Sequence, residues 1–190
     1  MRQRLVLPKF IYEEIIAHAR EGYPEEVCGL ISGKDGRATA LYRARNIAEN
    51  REINYTVDPQ TLLKQVEFEE RGEVLAAIYH SHPVSPPYPS ATDARQAFYP
   101  DVVYIICSLQ DWDNPEMRGW RLVQHTAEQA DTRPPETLKV AGRTGLWAEH
   151  KTLGEGRAHY TIWWEEEGHI WVQEVDVEEV HLEVVDVGTA

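Results

Sequence analysis

The 190-residue sequence predicts an α+β fold: a mixed central β-sheet flanked by helices, followed by a small C-terminal β-rich extension. Three observations predict it. Short apolar runs such as VCGLISG, EVLAAIYHSH and VVYIICSL read as buried strands. Other segments carry apolar residues at helical spacing, opened by Pro or Asp and closed by Gly. The two kinds of segment do not keep the strict alternation that a parallel α/β sheet demands.

Taken in order, RLVLP reads as a short strand. Pro8 can open a helix in the first turn, where its missing N–H costs nothing, with Ile11, Ile15, Ile16 and Ala19 as the apolar face and Gly22 as the stop. VCGLISG is a buried strand bounded by Gly33 and Gly36, and the alternating ATALYRARN is its hairpin partner. Asp58 caps a second helix that has Pro59 at its first position, Leu62, Leu63 and Val66 on its apolar face, and Gly72 at its end. EVLAAIYHSH then reads as a central strand, ATDARQAFY as a short helix, VVYIICSL as a buried strand and RGWRLVQH as an amphipathic one. Residues 126–145 are polar, contain Pro134 and Pro135, and read as a linker between a main domain at 1–125 and an extension at 146–190. YTIWW, HIWVQEV and VHLEVV are three short strands of that extension. About 45 residues make a small core, so the extension is expected to pack on the main domain or on a partner.

Charge and cysteine usage narrow the function classes. The formal net charge of −13 argues against non-specific nucleic-acid binding, which needs Lys and Arg to neutralise phosphates. From residue 158 onward there are nine acids and no Lys or Arg, so the extension differs in character from the rest. Its acidic face reads first as solvated surface, with a docking surface for a basic patch or a homodimer contact as the alternatives. No apolar run reaches 18 residues and the N-terminal apolar stretch is too short for a signal-peptide core, so the expected address is the cytoplasm, off the membrane. Cys28 and Cys107, both flanked by apolar residues, read as buried reduced thiols.

The chemistry is carried by His80-Ser81-His82-Pro83 and, with seven residues between it and His82, by Ser90-Ala91-Thr92-Asp93. Residues two apart on a strand share a face, so His80 and His82 can aim their imidazoles at one point. Asp93 adds a carboxylate if the intervening loop folds back, and Pro83, Pro86, Pro87 and Pro89 lower the entropy of holding it there. Two imidazoles and a carboxylate suit Zn2+ and leave a fourth position for water, as a catalytic site requires. Each feature also has a structural reading: half-exposed strand histidines, and Ser90 as the N-cap of a helix with an acidic first turn.

The pattern His-x-His-(x)7-Ser-x-x-Asp, with Glu26-Val27-Cys28-Gly29 ahead of it, resembles the JAMM (MPN+) zinc metalloprotease family, in which a glutamate sits in a Glu-x-[Cys/Met]-Gly context. The resemblance covers roughly residues 3–125, and this short chain is most similar to the compact bacterial-type members. It implies a JAMM/MPN-like fold, Zn2+ held by His80, His82 and Asp93, Glu26 as general base and then general acid, and Ser90 as oxyanion donor. Glu25 is out of phase with the motif, and His18, His125, His150, His159, His169 and His181 lie outside it. The implied activity is hydrolysis of the bond after the C-terminal glycines of a ubiquitin-like or sulfur-carrier protein, by tail trimming or by release of an attached amino acid such as cysteine. The readings set against it are a non-catalytic MPN-type scaffold and a zinc hydrolase of a small molecule.

Overall fold

A computed structural model describes residues 3–186. Its architecture is the expected mixture of sheet and helices. Residues 3–88, 101–120 and 180–186 form one compact unit, and residues 89–100 and 121–179 the other.

In the first unit, β1 (Arg4–Pro8) leads into α1 (Lys9–Gly22), with Pro8 at the N-cap rather than inside the first turn. Ile11, Ile15 and Ala19 are fully buried, as the helical spacing requires, while Ile16 is only partly so. β2 (Cys28–Lys34) and β3 (Arg37–Ala44) form an antiparallel hairpin. Its two-residue loop, Asp35-Gly36, has positive φ at both positions (50° and 75°), the backbone that tight hairpins favour. β4 (Val74–His82) pairs antiparallel with β2, and β5 (Val103–Ser108) pairs parallel with β4. β6 (Glu116–Gln124) continues antiparallel to β5. The strand order is therefore β1-β3-β2-β4-β5-β6. Leu5, Leu7, Ile11, Ile15, Ile31, Ala77, Tyr79 and Ile105 form a core in which α1 covers one face of this sheet.

Asp58 caps the second helix as expected, accepting from the Thr61 amide at 3.0 Å, with Pro59 in first position. The helix does not run on to Gly72. It breaks at Leu63 into α2 (Pro59–Leu62) and α3 (Lys64–Glu70). Leu63 and Val66 are exposed, and the buried side chain is Phe68, whose ring packs 4.9 Å from that of Tyr42. The large aromatic buries more apolar area than either aliphatic residue and turns the element so that Phe68 faces inward.

In the second unit, α4 (Ala91–Arg95) buries Ala91 and Ala94. β8 (Leu146–Gly154), β9 (Arg157–Glu166) and β10 (His169–Val185) follow one another antiparallel, and β7 (Glu128–Gln129) pairs with β10. Residues 126–145 contain β7 and a 3-10 turn at Glu136–Leu138. The sequence patterns give no warning of β8, most of whose residues are exposed. HIWVQEV and VHLEVV, read as two strands, are parts of the single 17-residue β10. No Gly or Pro stands between them to make a turn.

The last residues of β10 return to the first unit. Arg4 to Pro8 pair in parallel with His181 to Val185. Val180 is buried with the α1 core and Leu182 packs against it. The alternation of Val180 and Leu182 with polar residues thus has an apolar face to meet.

Among the described residues, no helix is long and apolar enough to cross a membrane.

Candidate metal centre

β4 is flanked by β2 and β5, and this central position sets the site. Along it Ala77 and Tyr79 enter the core beneath α1. His80 and His82 belong to the opposite face, because strand side chains alternate. Both are buried, at 1% and 4% exposure, where an imidazole needs a defined partner. Their Nε2 atoms lie 3.0 Å apart. The Nδ1 atom of His82 is 2.8 Å from the Pro86 carbonyl oxygen, to which it can only donate. That bond selects the tautomer whose Nε2 carries a lone pair. The ring of Tyr55 stacks on His80, with centroids 4.3 Å apart and planes 19° apart.

The proline loop after His82 is held by its carbonyl oxygens. Ser85 accepts from the Ser108 hydroxyl at 2.6 Å, and Pro87 accepts from the Trp120 indole at 2.9 Å. At the start of α4, Ser90 and Asp93 form a complete capping box. The Asp93 amide donates to Ser90 Oγ at 3.1 Å, while the Ser90 amide and hydroxyl both donate to Asp93 Oδ2 at 2.7 Å. Two donors on Oδ2 fix the orientation of the carboxylate. His80, His82 and Asp93, all buried, each offer a ligand atom, and these atoms lie within 4.8 Å of one another.

The donor set fits a catalytic zinc. Two imidazole nitrogens bound to one tetrahedral zinc stand about 3.3 Å apart, close to the spacing found here. Without a proton or a cation between them, two such lone pairs repel. The His82–Pro86 and Ser90–Asp93 bonds are the kind of outer contact that orients ligands.

Glu26 lies just ahead of β2. Cys28 pairs with His80, and the Ser81 amide donates to the Val27 carbonyl at 3.0 Å. The Val27 amide in turn donates to Ser81 Oγ at 2.9 Å, so Glu26 immediately precedes a residue anchored to β4 between the two histidines. Glu26 is buried, whereas Glu25 is half exposed and forms an ion pair with Arg51 at 3.1 Å. The structure therefore gives the two adjacent acids different environments. Gly29, the last residue of the Glu-x-Cys-Gly stretch, faces Tyr79. A Cβ there would sit 2.3 Å from the Tyr79 ring and 2.5 Å from the Tyr42 carbonyl oxygen. Tyr79 crosses this gap to reach His18, with Oη 2.8 Å from Nδ1. Burial, followed by the nearby Arg43 charge, lowers the His18 pKa to about 4.

Four of the remaining histidines have other partners. His125 and His159 share Asp176 at 2.7 and 2.9 Å, and His169 contacts Gln129 at 3.0 Å. His150 packs on Tyr160 with ring centroids 4.7 Å apart. Cys28 and Cys107 are free, buried thiols, and burial pushes both pKa values up to about 12. Neither is a nucleophile at neutral pH. Tyr55 and Asn46 belong to this neighbourhood, yet no spacing or motif singles them out in the sequence.

The chain can now be set beside known proteins. A desampylase from Haloferax volcanii is 38% identical over 128 residues, which span 60% of this chain and 92% of the relative. A CysO-cysteine peptidase from Mycobacterium tuberculosis is 34% identical over 121 residues, 63% of this chain and 83% of the relative. The solution structure of protein DSY2949 from Desulfitobacterium hafniense matches with a TM-score of 0.56 at 35% identity, covering 62% of this chain and 83% of that one. Residues 8–123 match the family described as prokaryotic homologs of the JAB domain. The chain belongs to that family, as a compact bacterial-type member of the JAMM (MPN+) group.

Proposed function

We propose that this chain is a zinc-dependent metallopeptidase that hydrolyses the bond after the C-terminal glycines of a ubiquitin-like or sulfur-carrier protein. The convergence of buried His80, His82 and Asp93 carries the reading. The names of the relatives, desampylase and CysO-cysteine peptidase, supply its substrate class.

In this reading His80, His82 and Asp93 would hold zinc, with Ser90 orienting the Asp93 carboxylate. Zinc, when bound, supplies Lewis acidity that polarises the scissile carbonyl and brings the pKa of water near 7. Glu26 takes the proton from the attacking water and delivers it to the leaving amine. Its burial among protein atoms keeps bulk water from competing for that proton. Ser90 donates to the developing oxyanion after releasing Asp93 Oδ2. Cleavage of a Gly–X amide by water yields a carrier carboxylate and a free amine, so no redox partner is needed.

The test is direct. Zinc-loaded protein is incubated with a sulfur-carrier protein bearing cysteine in amide linkage to its C-terminal Gly-Gly, and released cysteine is measured by mass spectrometry. Release by the wild type is expected. Glu26→Gln should keep about one zinc per chain and lose at least ~10²-fold in turnover. Full turnover in Glu26→Gln, with loss in Glu25→Gln, would transfer the base to the neighbouring acid.

A further inference from the structure

Glu26 precedes β2, so its backbone groups need partners outside the strand ladder. The segment 46–57 does so. The Glu26 amide donates to the Arg51 carbonyl at 2.7 Å, and the Glu26 carbonyl accepts from Asn46 Nδ2 at 2.9 Å. Both backbone groups of Glu26 are thus held by one loop. The loop is closed at its base by an Asn46–Val57 bridge and by Asp58, which accepts from the Arg45 amide at 2.9 Å.

Asn46 is the hub. Besides Glu26, its Nδ2 donates to the Asn54 carbonyl at 2.9 Å, and its Oδ1 accepts from the Ala48 and Thr56 amides at 3.0 and 3.1 Å. Two donors and two acceptor positions exhaust a carboxamide, so no other side chain reproduces all four bonds. The same loop carries Tyr55, which stacks on His80. One side chain therefore ties the segment that covers a histidine of the metal centre to the backbone of the residue assigned as base.

Building on the proposed role of Glu26, we propose that Asn46 is a positioning residue for the reaction, fixing Glu26 through its backbone carbonyl. The four bonds of the Asn46 carboxamide go to Glu26, Ala48, Asn54 and Thr56 and not to His80, His82 or Asp93, so zinc is expected to be retained when Asn46 is replaced.

The experiment pairs Asn46→Ala and Asn46→Asp with Glu26→Gln. Asn46→Asp keeps an oxygen for the Ala48 and Thr56 amides but loses the donor to Glu26. Both variants should retain zinc and KM while kcat falls about 10- to 100-fold, the range seen when outer supports of a site are removed. Backbone hydrogen exchange at Ala48 and Thr56 should quicken in Asn46→Ala and stay slow in Asn46→Asp. In the Glu26→Gln background, Asn46→Asp should cost less than about twofold more, because its effect runs through a base already disabled. An unchanged kcat in Asn46→Asp, a parallel loss of zinc, or full additivity with Glu26→Gln would overturn the proposal. If Asn46→Ala does not fold, Asn46→Asp decides alone. Wild-type turnover in Glu26→Gln would instead refute the assignment of Glu26, and this inference with it.

Discussion

Ser90→Ala tests how tightly the capping box and the metal centre are joined. The substitution removes one hydroxyl that makes two bonds, accepting from the Asp93 amide at 3.1 Å and donating to Asp93 Oδ2 at 2.7 Å. Loss of the cap costs about 1 kcal/mol. Loss of a donor to a carboxylate costs about 1.5 kcal/mol more, less whatever the surviving Ser90 amide recovers. The sum is roughly 2 kcal/mol, which for a chain of this size lowers Tm by about 4–8 °C. Asp93 would also lose one of the two donors that Ser90 gives its Oδ2, so zinc affinity should fall about 10- to 100-fold. Differential scanning fluorimetry and chelator competition read these separately, and kcat is then taken at saturating zinc. A further drop of about 10²-fold there is the signature of the oxyanion role. A Tm within ~1 °C of wild type, together with unaltered zinc affinity, would refute the reasoning.

Three other outcomes follow from the same structure. His18 is held neutral, with its pKa lowered from 6.5 to about 4, so the unfolded chain takes the proton first and stability declines as pH falls from about 6.5 to about 4. With the ring partly exposed, solvent screening reduces the full linkage value to about 1–2 kcal/mol; urea unfolding of wild type and His18→Gln should show their stability gap shifting by that amount against wild type, and a gap that ignores pH would refute it. Gly29→Ala forces a methyl against the Tyr79 ring and the Tyr42 carbonyl, so a loss of about 1–3 kcal/mol or more is expected in chemical denaturation, and wild-type stability would show that the β2–β4 packing is misread. Ending the chain after Glu179 strips β1 of its parallel pairing with β10 and Val180 from the core, so thermal melting should shift downward by several degrees, and an unchanged melt would exclude that pairing.

Much of this site was legible because its signals are local. A strand places residues two apart on one face, so His80-Ser81-His82 declares a convergent pair without knowledge of any neighbour. The Ser90–Asp93 box likewise lies within a single helical turn, and Asp58-Pro59 announces a helix start from two adjacent residues. Buried strands of the central sheet are readable for the same reason, since VCGLISG and VVYIICSL are apolar on both faces.

Tertiary structure decided what depends on distant partners. Leu63 and Val66 fit a helical stripe, yet Phe68 took the buried position because Tyr42 was there to receive it. The join of HIWVQEV to VHLEVV, and the parallel pairing of β10 with β1, bring together residues some 177 positions apart, from Arg4 to His181. Asn46 is the sharpest case. Asn46 ends the segment ATALYRARN that reads as a strand, and only the closed loop shows its carboxamide bonded to Glu26, Ala48, Asn54 and Thr56 at once. Sequence by itself determined which side chains share a strand face or a helical turn, since residue type and short-range spacing govern that. The fold decided which of them are buried, oriented and braced, because those properties arise from contacts that no local pattern encodes.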